Sequence, residues 1–156
     1  DEIVLVEEGA LEHAVALLLQ IEKTVVEGAG AAGLAAVLSN PDKFAGKRVG
    51  LVLCGGNIDT RLLANVLLRD QVRSGRMARL RIALQDRPGA LYHVMGEFAA
   101  HNVNIIEIHH QRIFTSLPAK GLFTDIECEA RDADQIAALM AALRAKGYSV
   151  EAFELD

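Results

Sequence analysis

Two short runs of residues in this chain carry groups that could bind a small molecule. The first is residues 86–91, with the sequence Asp-Arg-Pro-Gly-Ala-Leu, at the start of an apolar pattern with helical spacing. Asp86 could cap that helix and accept an amino group, Pro88 presets its first turn, and Gly89 lets a ligand approach backbone N–H groups. Free N–H groups at a helix start also suit a carboxylate. The run predicts a site for a free amino acid, unless it is only the turn that starts a helix.

The second run follows a stretch of consecutive apolar residues. Residues 48–54, Arg-Val-Gly-Leu-Val-Leu-Cys, predict a short parallel strand that is covered on both faces. Gly55, Gly56 and Asn57 then break the strand. From its type and position, Cys54 is interpreted as a small buried residue at a strand end, and the glycines as a tight turn. These residues alone therefore assign the run no chemistry.

Composition argues against several classes of function. The chain has 156 residues, of which 51% are hydrophobic and 4% aromatic, and its net charge is −5. Because it has no lysine-rich run and few aromatic residues to stack on bases, nucleic acid is not expected as a partner. Its two cysteines have no disulfide-framework or metal-binding spacing. No apolar run approaches the roughly 20 residues that span a bilayer, and the acidic start is unlike a signal peptide. We expect a cytoplasmic protein without membrane contact.

The first 75 residues are predicted to be helical with a single strand. Apolar residues recur at helical spacing over residues 9–24, a small-residue helix is predicted over 29–38, and a leucine-rich helix over 59–72. A helix–strand–turn–helix order is typical of α/β proteins. Because one strand does not make a parallel sheet, residues 1–75 are predicted to be a remnant of a larger α/β domain.

Residues 76–156 are predicted to form a complete small domain of the α+β class. Apolar residues that alternate with polar ones predict four strands. These strands cover residues 79–84, 104–114, 122–129 and 148–155. A helix follows the first and the third strand, and Gly147 suits the end of the second helix because glycine can adopt a left-handed conformation. The order β-α-β-β-α-β is the ferredoxin-like pattern, in which two helices cover one face of the sheet.

The turn at residues 86–91 resembles the Asp-x-Pro-Gly-x-Leu signature of ACT regulatory domains. The strand order and the Asn-Val-Asn sequence at residues 102–104 strengthen the resemblance. ACT domains typically pair side by side, extend their sheets and bind an amino acid between the signature turn and a partner. The resemblance therefore implies a homo-oligomer with a small amino-acid effector. The implied effector-binding residues are Asp86, Pro88, Gly89, Ala90, Leu91, Asn102 and Asn104.

The first part of the chain has its own resemblance. Residues 26–33 and 47–59 are similar to the end of the catalytic domain of threonine ammonia-lyases and serine-racemase-like enzymes, which use pyridoxal phosphate. The resemblance implies that Cys54 hydrogen-bonds the pyridine nitrogen, where a neutral thiol moderates the electron sink and suits β-elimination. It implies that Gly55 and Gly56 let the chain approach the flat ring of the cofactor. It also implies that the Glu27 carboxylate lies near that ring. The implied cofactor-binding residues are Cys54, Gly55, Gly56, Asn57 and Glu27.

Family members hold the cofactor through a lysine in a Ser-x-Lys-x-Arg-type motif and a glycine-rich phosphate loop, and neither motif is found in these 156 residues. With the abrupt start at Asp1, this leads us to expect a truncated chain that has no catalytic residue and no activity of its own. The resemblance implies that the full-length parent binds pyridoxal phosphate and converts L-threonine to 2-oxobutanoate and ammonia, as in isoleucine biosynthesis. The ACT domain is then its allosteric sensor.

Two alternative functions stay open at the level of sequence. The chain could be a stand-alone module that binds an amino acid, or a dimerisation module whose ligand site is vestigial. Residues 54–57 argue against the first alternative, because a pure sensor has no use for half of an α/β unit. Asp86 and Gly89 fit either role. Metal binding is not expected, because the adjacent His109 and His110 point to opposite faces of a strand.

Overall fold

The computed structural model describes residues 3–113, 116, 118 and 120–153. The chain divides into two compact units, Asp1–Asp70 and Gln71–Asp156. The boundary between them lies inside the helix that runs over Thr60–Arg73. Each unit has its own cluster of buried apolar residues, so each is described by itself.

The first unit is helical. Within residues 3–70 the helices are α1 Glu8–Gln20, α2 Gly28–Ser39, α3 Pro41–Phe44 and the start of α4 Thr60–Arg73. Three of them, α1, α2 and α4, confirm the helices predicted here, although α1 ends earlier than its pattern indicated. Helix α1 packs against α2, where Ala31 and Ala35 are fully buried and their small side chains allow close approach. The buried apolar residues of this unit are Ala14, Val15, Leu18, Val26, Ala31, Ala35 and Val66.

The strand predicted over residues 48–54 does not form. Residues 47–59 contain no helix or strand, and Val52 is 82% exposed. A strand needs a hydrogen-bonded neighbour for its N–H and C=O groups, and the described residues of the first unit supply no second strand. The prediction is therefore wrong for this chain. The expected burial of Cys54 is wrong for the same reason, since this cysteine is exposed.

The second unit is built on one antiparallel sheet. Its strands are β1 Met77–Gln85, β2 Asn104–Gln111, β3 Gly121–Glu129 and β4 Val150–Ala152, in the spatial order β2-β3-β1-β4. Helix α5 Ala90–Ala100 follows β1, and helix α6 Ala133–Ala145 follows β3. The predicted α+β, ferredoxin-like fold is therefore confirmed. Phe114 and residues 154–155, which the sequence pattern assigns to the second and last strands, lie outside the described residues.

One face of the sheet holds the apolar core of the second unit. Leu80, Ile82 and Leu84 alternate along β1 and are buried, as the sequence predicts. They lie in one cluster with residues of both helices, including Phe98 of α5 and Leu139 of α6. Full burial of one large apolar side chain stabilises a fold by about 1.5–3 kcal/mol. This cluster therefore holds both helices on the same face of the sheet.

Polar contacts fix the ends of the two helices. The Asp132 carboxylate accepts a hydrogen bond of 2.9 Å from the backbone N–H of Gln135 at the start of α6. The side-chain amide of Gln135 donates to the carbonyls of His101 and Asn102 just after α5, at 2.6 and 3.1 Å. The pKa of Asp132 is lowered, mainly by its ion pair with Arg131 and to a smaller extent by the hydrogen bond from Gln135. Gly147 has φ +86°, so its predicted left-handed conformation is confirmed.

Replacing Phe98 with alanine should lower the free energy of unfolding by about 3–5 kcal/mol, because its ring is 1% exposed and its removal leaves a cavity. Tyr92 on the same helix is 78% exposed and provides the matched control. Its replacement with alanine should change stability by about 0.5 kcal/mol or less. Urea unfolding of both variants, followed by circular dichroism, measures the difference. Equal losses would contradict the described core.

Candidate functional site

The strand order brings the ends of β1 and β2 to one edge of the sheet. Both strands pair antiparallel with β3, which lies between them, so they run in the same direction. Gln85 at the end of β1 lies opposite Gly121 at the start of β3. The backbone N–H of Asp86 donates to the carbonyl of Lys120 at 2.7 Å. The predicted turn at residues 86–91 is thus anchored to the segment that leads into β3.

Asp86 does not cap helix α5, so that expectation is wrong. The N-cap residue is Gly89, which has φ +85° and makes no side-chain capping bond. A capping side chain bonds a backbone N–H two or three residues later, and Pro88, two residues after Asp86, has no N–H to offer. Pro88 also lies before the helix rather than in its first turn, because α5 begins at Ala90. The Asp86 carboxylate is left to bind other groups.

Arg112 is the partner of Asp86. Its Nε and Nη2 atoms donate to the Asp86 carboxylate oxygens at 3.1 and 3.5 Å. The two side chains are 59% and 43% exposed. Arg112 directly follows β2 and Asp86 directly follows β1, so the ion pair spans the edge where these two strands end. Sequence analysis missed Arg112, because only the strand order shows that it lies beside the turn.

A cavity of about 790 Å³ lies beside this turn. It has the size of a small-molecule site. Its described lining residues are Ala83, Leu84, Gln85, Asp86, Arg87, Pro118, Lys120 and Gly121. The lining combines one carboxylate, two cations and an apolar part. Of the predicted effector-binding residues, only Asp86 is among these lining residues, and Leu91 instead packs against the core.

Asn102 and Asn104 lie at the other end of the sheet within one chain. Asn104 begins β2, whereas Asp86 follows the end of the parallel β1. The side-chain amide of Asn104 donates to Glu129 at 2.8 Å. Asn102 has φ +52°, a left-handed conformation that asparagine tolerates better than most residues. A single chain therefore does not bring these asparagines to the Asp86 turn.

The residues predicted to contact a cofactor partly come together in the first unit. The backbone N–H of Glu27 donates to the carbonyl of Gly55 at 3.1 Å. Gly55 has φ +87°, and a Cβ there would lie 2.3 Å from the Glu27 carboxylate. A Cβ on Gly30 would lie 2.5 Å from the carbonyl oxygen of Cys54. Gly30 is therefore where α2 meets this turn.

Gly56 and Asn57 continue the turn and are exposed. The exposed thiol of Cys54 contrasts with Cys128, which is fully buried in the second unit. Burial raises the pKa of the Cys128 thiol to about 11, so this thiol stays neutral at physiological pH. Of the two cysteine thiols, that of Cys54 is therefore the one accessible to solvent.

Charged side chains of β1 and β3 on the outer face of the sheet are paired. Strand β3 is an inner strand, and its Asp125 is 5% exposed. Arg81 on β1 donates to both Asp125 oxygens at 2.7 Å. Its guanidinium also lies 5.2 and 4.8 Å from the ring centres of Phe123 and Phe153. The hydrogen bond to Asp125 raises the pKa of Arg81.

His109 and His110 make contacts on different sides of β2. His110 Nδ1 lies 3.1 Å from the hydroxyl of the buried Thr124, whereas His109 contacts Glu107 on the outer face at 3.2 Å. Among the described residues, Glu107, His109 and Glu127 have potential metal ligand atoms within 4.8 Å of one another. Arg79 pairs with Glu127, so one of these three groups already has a cation as its partner.

Comparison with known proteins identifies the second unit. Residues 78–145 match the ACT domain family, and this segment is an ACT domain. The chain is 37% identical over 150 residues to an L-threonine ammonia-lyase from Thermotoga maritima, which covers 96% of this chain and 37% of the relative. It is 41% identical over 152 residues to an L-threonine ammonia-lyase from Geobacter sulfurreducens, which covers 97% of this chain and 38% of the relative.

The chain is thus similar to these threonine ammonia-lyases over nearly all of its own length, and it spans less than two fifths of theirs. Among solved structures, it is similar to the ACT domain of the GTP pyrophosphokinase of Chlorobium tepidum. That similarity has a TM-score of 0.40 and 22% identity, and it covers 49% of this chain and 96% of the other. No helix among the described residues has the length and apolar character needed to cross a membrane.

Proposed function

We propose that this chain is the regulatory part of a threonine ammonia-lyase, and that its ACT domain senses a small amino acid. The observation that carries the proposal is the cavity beside the Asp86 turn, whose described lining includes one carboxylate, two cations and an apolar part. An amino acid brings one positive group, one negative group and a small side chain. These groups are complementary to that lining.

Regulation would follow from differential binding. An effector that prefers one conformation or one pairing of ACT domains shifts the equilibrium between active and inactive enzyme toward that state. Coupling between effector and substrate sites is typically worth about 1–3 kcal/mol. A preference of that size changes the apparent affinity for threonine by roughly 5–150-fold.

The parent enzyme is proposed to deaminate L-threonine to 2-oxobutanoate and ammonia with pyridoxal phosphate. When bound, this cofactor supplies the electron sink that the elimination needs. Two features of the first unit support this part of the proposal. Gly55 has no room for a side chain beside Glu27, and the Cys54 thiol is exposed at the same turn. In this proposal Cys54 hydrogen-bonds the pyridine nitrogen, Gly55 and Gly56 allow close approach, Asn57 braces the turn, and Glu27 lies near the ring.

The ACT domain is also proposed to pair with a second copy through β2. This strand lies at the edge of the sheet and is longer than β4 at the other edge. An edge strand presents unpaired N–H and C=O groups that can bond another strand. Ile106, which lies at an irregularity in β2, is 47% exposed and adds apolar surface to this edge. A homo-oligomer with a continuous sheet is the expected assembly.

Replacing Asp86 with alanine should weaken binding of the effector about tenfold or more, because the described lining loses its one carboxylate and with it a charged hydrogen bond to the ligand's amino group. Isothermal calorimetry of the 156-residue chain against isoleucine, valine, threonine and serine measures this effect. Asp134→Ala, which removes an exposed carboxylate from α6, is the matched control and should bind like the wild type. Failure of the folded wild type to bind any of the four would contradict the proposed sensor.

Ile106→Lys should shift the chain toward the monomer, because a charge on an edge strand opposes strand pairing. Ile113 lies just beyond β2 and is 83% exposed, so Ile113→Lys adds the same charge outside the strand and should leave the assembly unchanged. Sedimentation velocity at several protein concentrations measures both. A monomeric wild type, or equal behaviour of the two variants, would contradict pairing through β2.

A further inference from the structure

We propose that Arg112 is the carboxylate-binding residue of the effector site, and that it holds Asp86 when no effector is bound. This inference rests on the proposed amino-acid sensor and extends it. It predicts which chemical group of the ligand each of the two side chains recognises. It also predicts that a free carboxylate on the ligand strengthens binding.

The position of Arg112 supports this role. Because β1 and β2 are parallel with β3 between them, the residues that follow β1 and β2 lie at the same edge of the sheet. Asp86 and Arg112 are those residues, and their side chains meet there at 3.1 and 3.5 Å. Asp86 also lines the cavity. The guanidinium of Arg112 is thus held at the one carboxylate that the described cavity lining contains.

The ion pair is suited to being opened by a ligand. Both side chains are well exposed, at 59% and 43%, and one of the two hydrogen bonds is long at 3.5 Å. Water screens such a pair, so separating the two side chains costs little. An incoming ammonium group could replace the guanidinium at Asp86. The released guanidinium could then bind the ligand carboxylate, since its planar fork of donors matches a carboxylate in two parallel hydrogen bonds.

The charge balance around the cavity selects the class of ligand. Arg87 and Lys120 line the cavity together with Asp86, and Arg112 adds a third cation at its edge. A simple amine would add positive charge to this group and bring no anion. A free amino acid adds a carboxylate as well as an amino group, so it leaves the net charge of these four side chains unchanged and offers an anion to the cations. Ala83, Leu84 and Pro118 form the apolar part of the lining, which suits a small aliphatic side chain.

The test compares free amino acids with their methyl esters, which keep the amino group and side chain but lack the carboxylate. Calorimetry of the 156-residue chain uses isoleucine, valine, threonine and serine in both forms. Arg112→Gln should weaken binding of the free amino acid about tenfold or more. It should change binding of the ester less than twofold. Arg112→Lys, which keeps the charge but loses the planar fork, should give an intermediate loss for the free acid.

Arg131→Gln is the matched control. Arg131 is also an exposed arginine that pairs with an aspartate, Asp132, but it lies at the start of α6. Its replacement should leave both ligand forms unaffected, and circular dichroism checks that each variant is folded.

The outcomes separate this inference from the function on which it rests. If the wild type binds an amino acid and Arg112→Gln binds it equally well or more tightly, Arg112 is not a ligand-binding residue and the sensor proposal stands. Equal losses for acid and ester would also overturn the carboxylate role. If the folded wild type binds none of the four amino acids, both the sensor proposal and this inference fail.

Discussion

The antiparallel pairing of β1 with β3 determines where the candidate residues of the ACT domain lie. This pairing runs from Met77↔Glu129 to Gln85↔Gly121. It places Leu80, Ile82 and Leu84 under the helices and turns Arg79 and Arg81 to the outer face, where they meet Glu127 and Asp125. Because β2 pairs with the other side of β3, the ends of β1 and β2 meet at one edge. A register shift of one residue would reverse both faces and move Asp86 away from Lys120 and Arg112.

Much of this domain could be predicted from local sequence patterns. The alternation in residues 79–84 predicted β1, and the helical spacing of Leu91, Val94 and Phe98 predicted α5. Gly147 was expected to be left-handed at the end of α6 and is so. These features depend on near neighbours in the chain, so a short window of sequence contains the necessary information. The same holds for Asp86, which was singled out from its own turn.

The parts that sequence reasoning missed depend on residues far apart in the chain. Arg112 lies beside Asp86 only because the strand order is β2-β3-β1-β4. The burial of Asp125 against Arg81 likewise depends on the pairing of strands that are distant in the sequence. In the first unit, by contrast, the sequence pattern predicted burial that the structure does not show. The apolar pattern of residues 48–54 indicates a buried strand, but the described residues of the first unit supply no neighbouring strand, so residues 48–54 have no regular structure. The apolar pattern indicates a preference for strand structure, but a strand forms only where a second strand is present to pair with it.

Hydrogen–deuterium exchange tests most directly whether the end of the sheet that carries Asp86 is an amino-acid sensor. Exchange of the 156-residue chain would be measured by mass spectrometry with and without isoleucine, valine, threonine and serine. We predict that at least one amino acid slows exchange in residues 83–91 and at the start of β3, while residues 3–70 exchange as before. Unchanged exchange with all four, or slowing confined to residues 3–70, would contradict it.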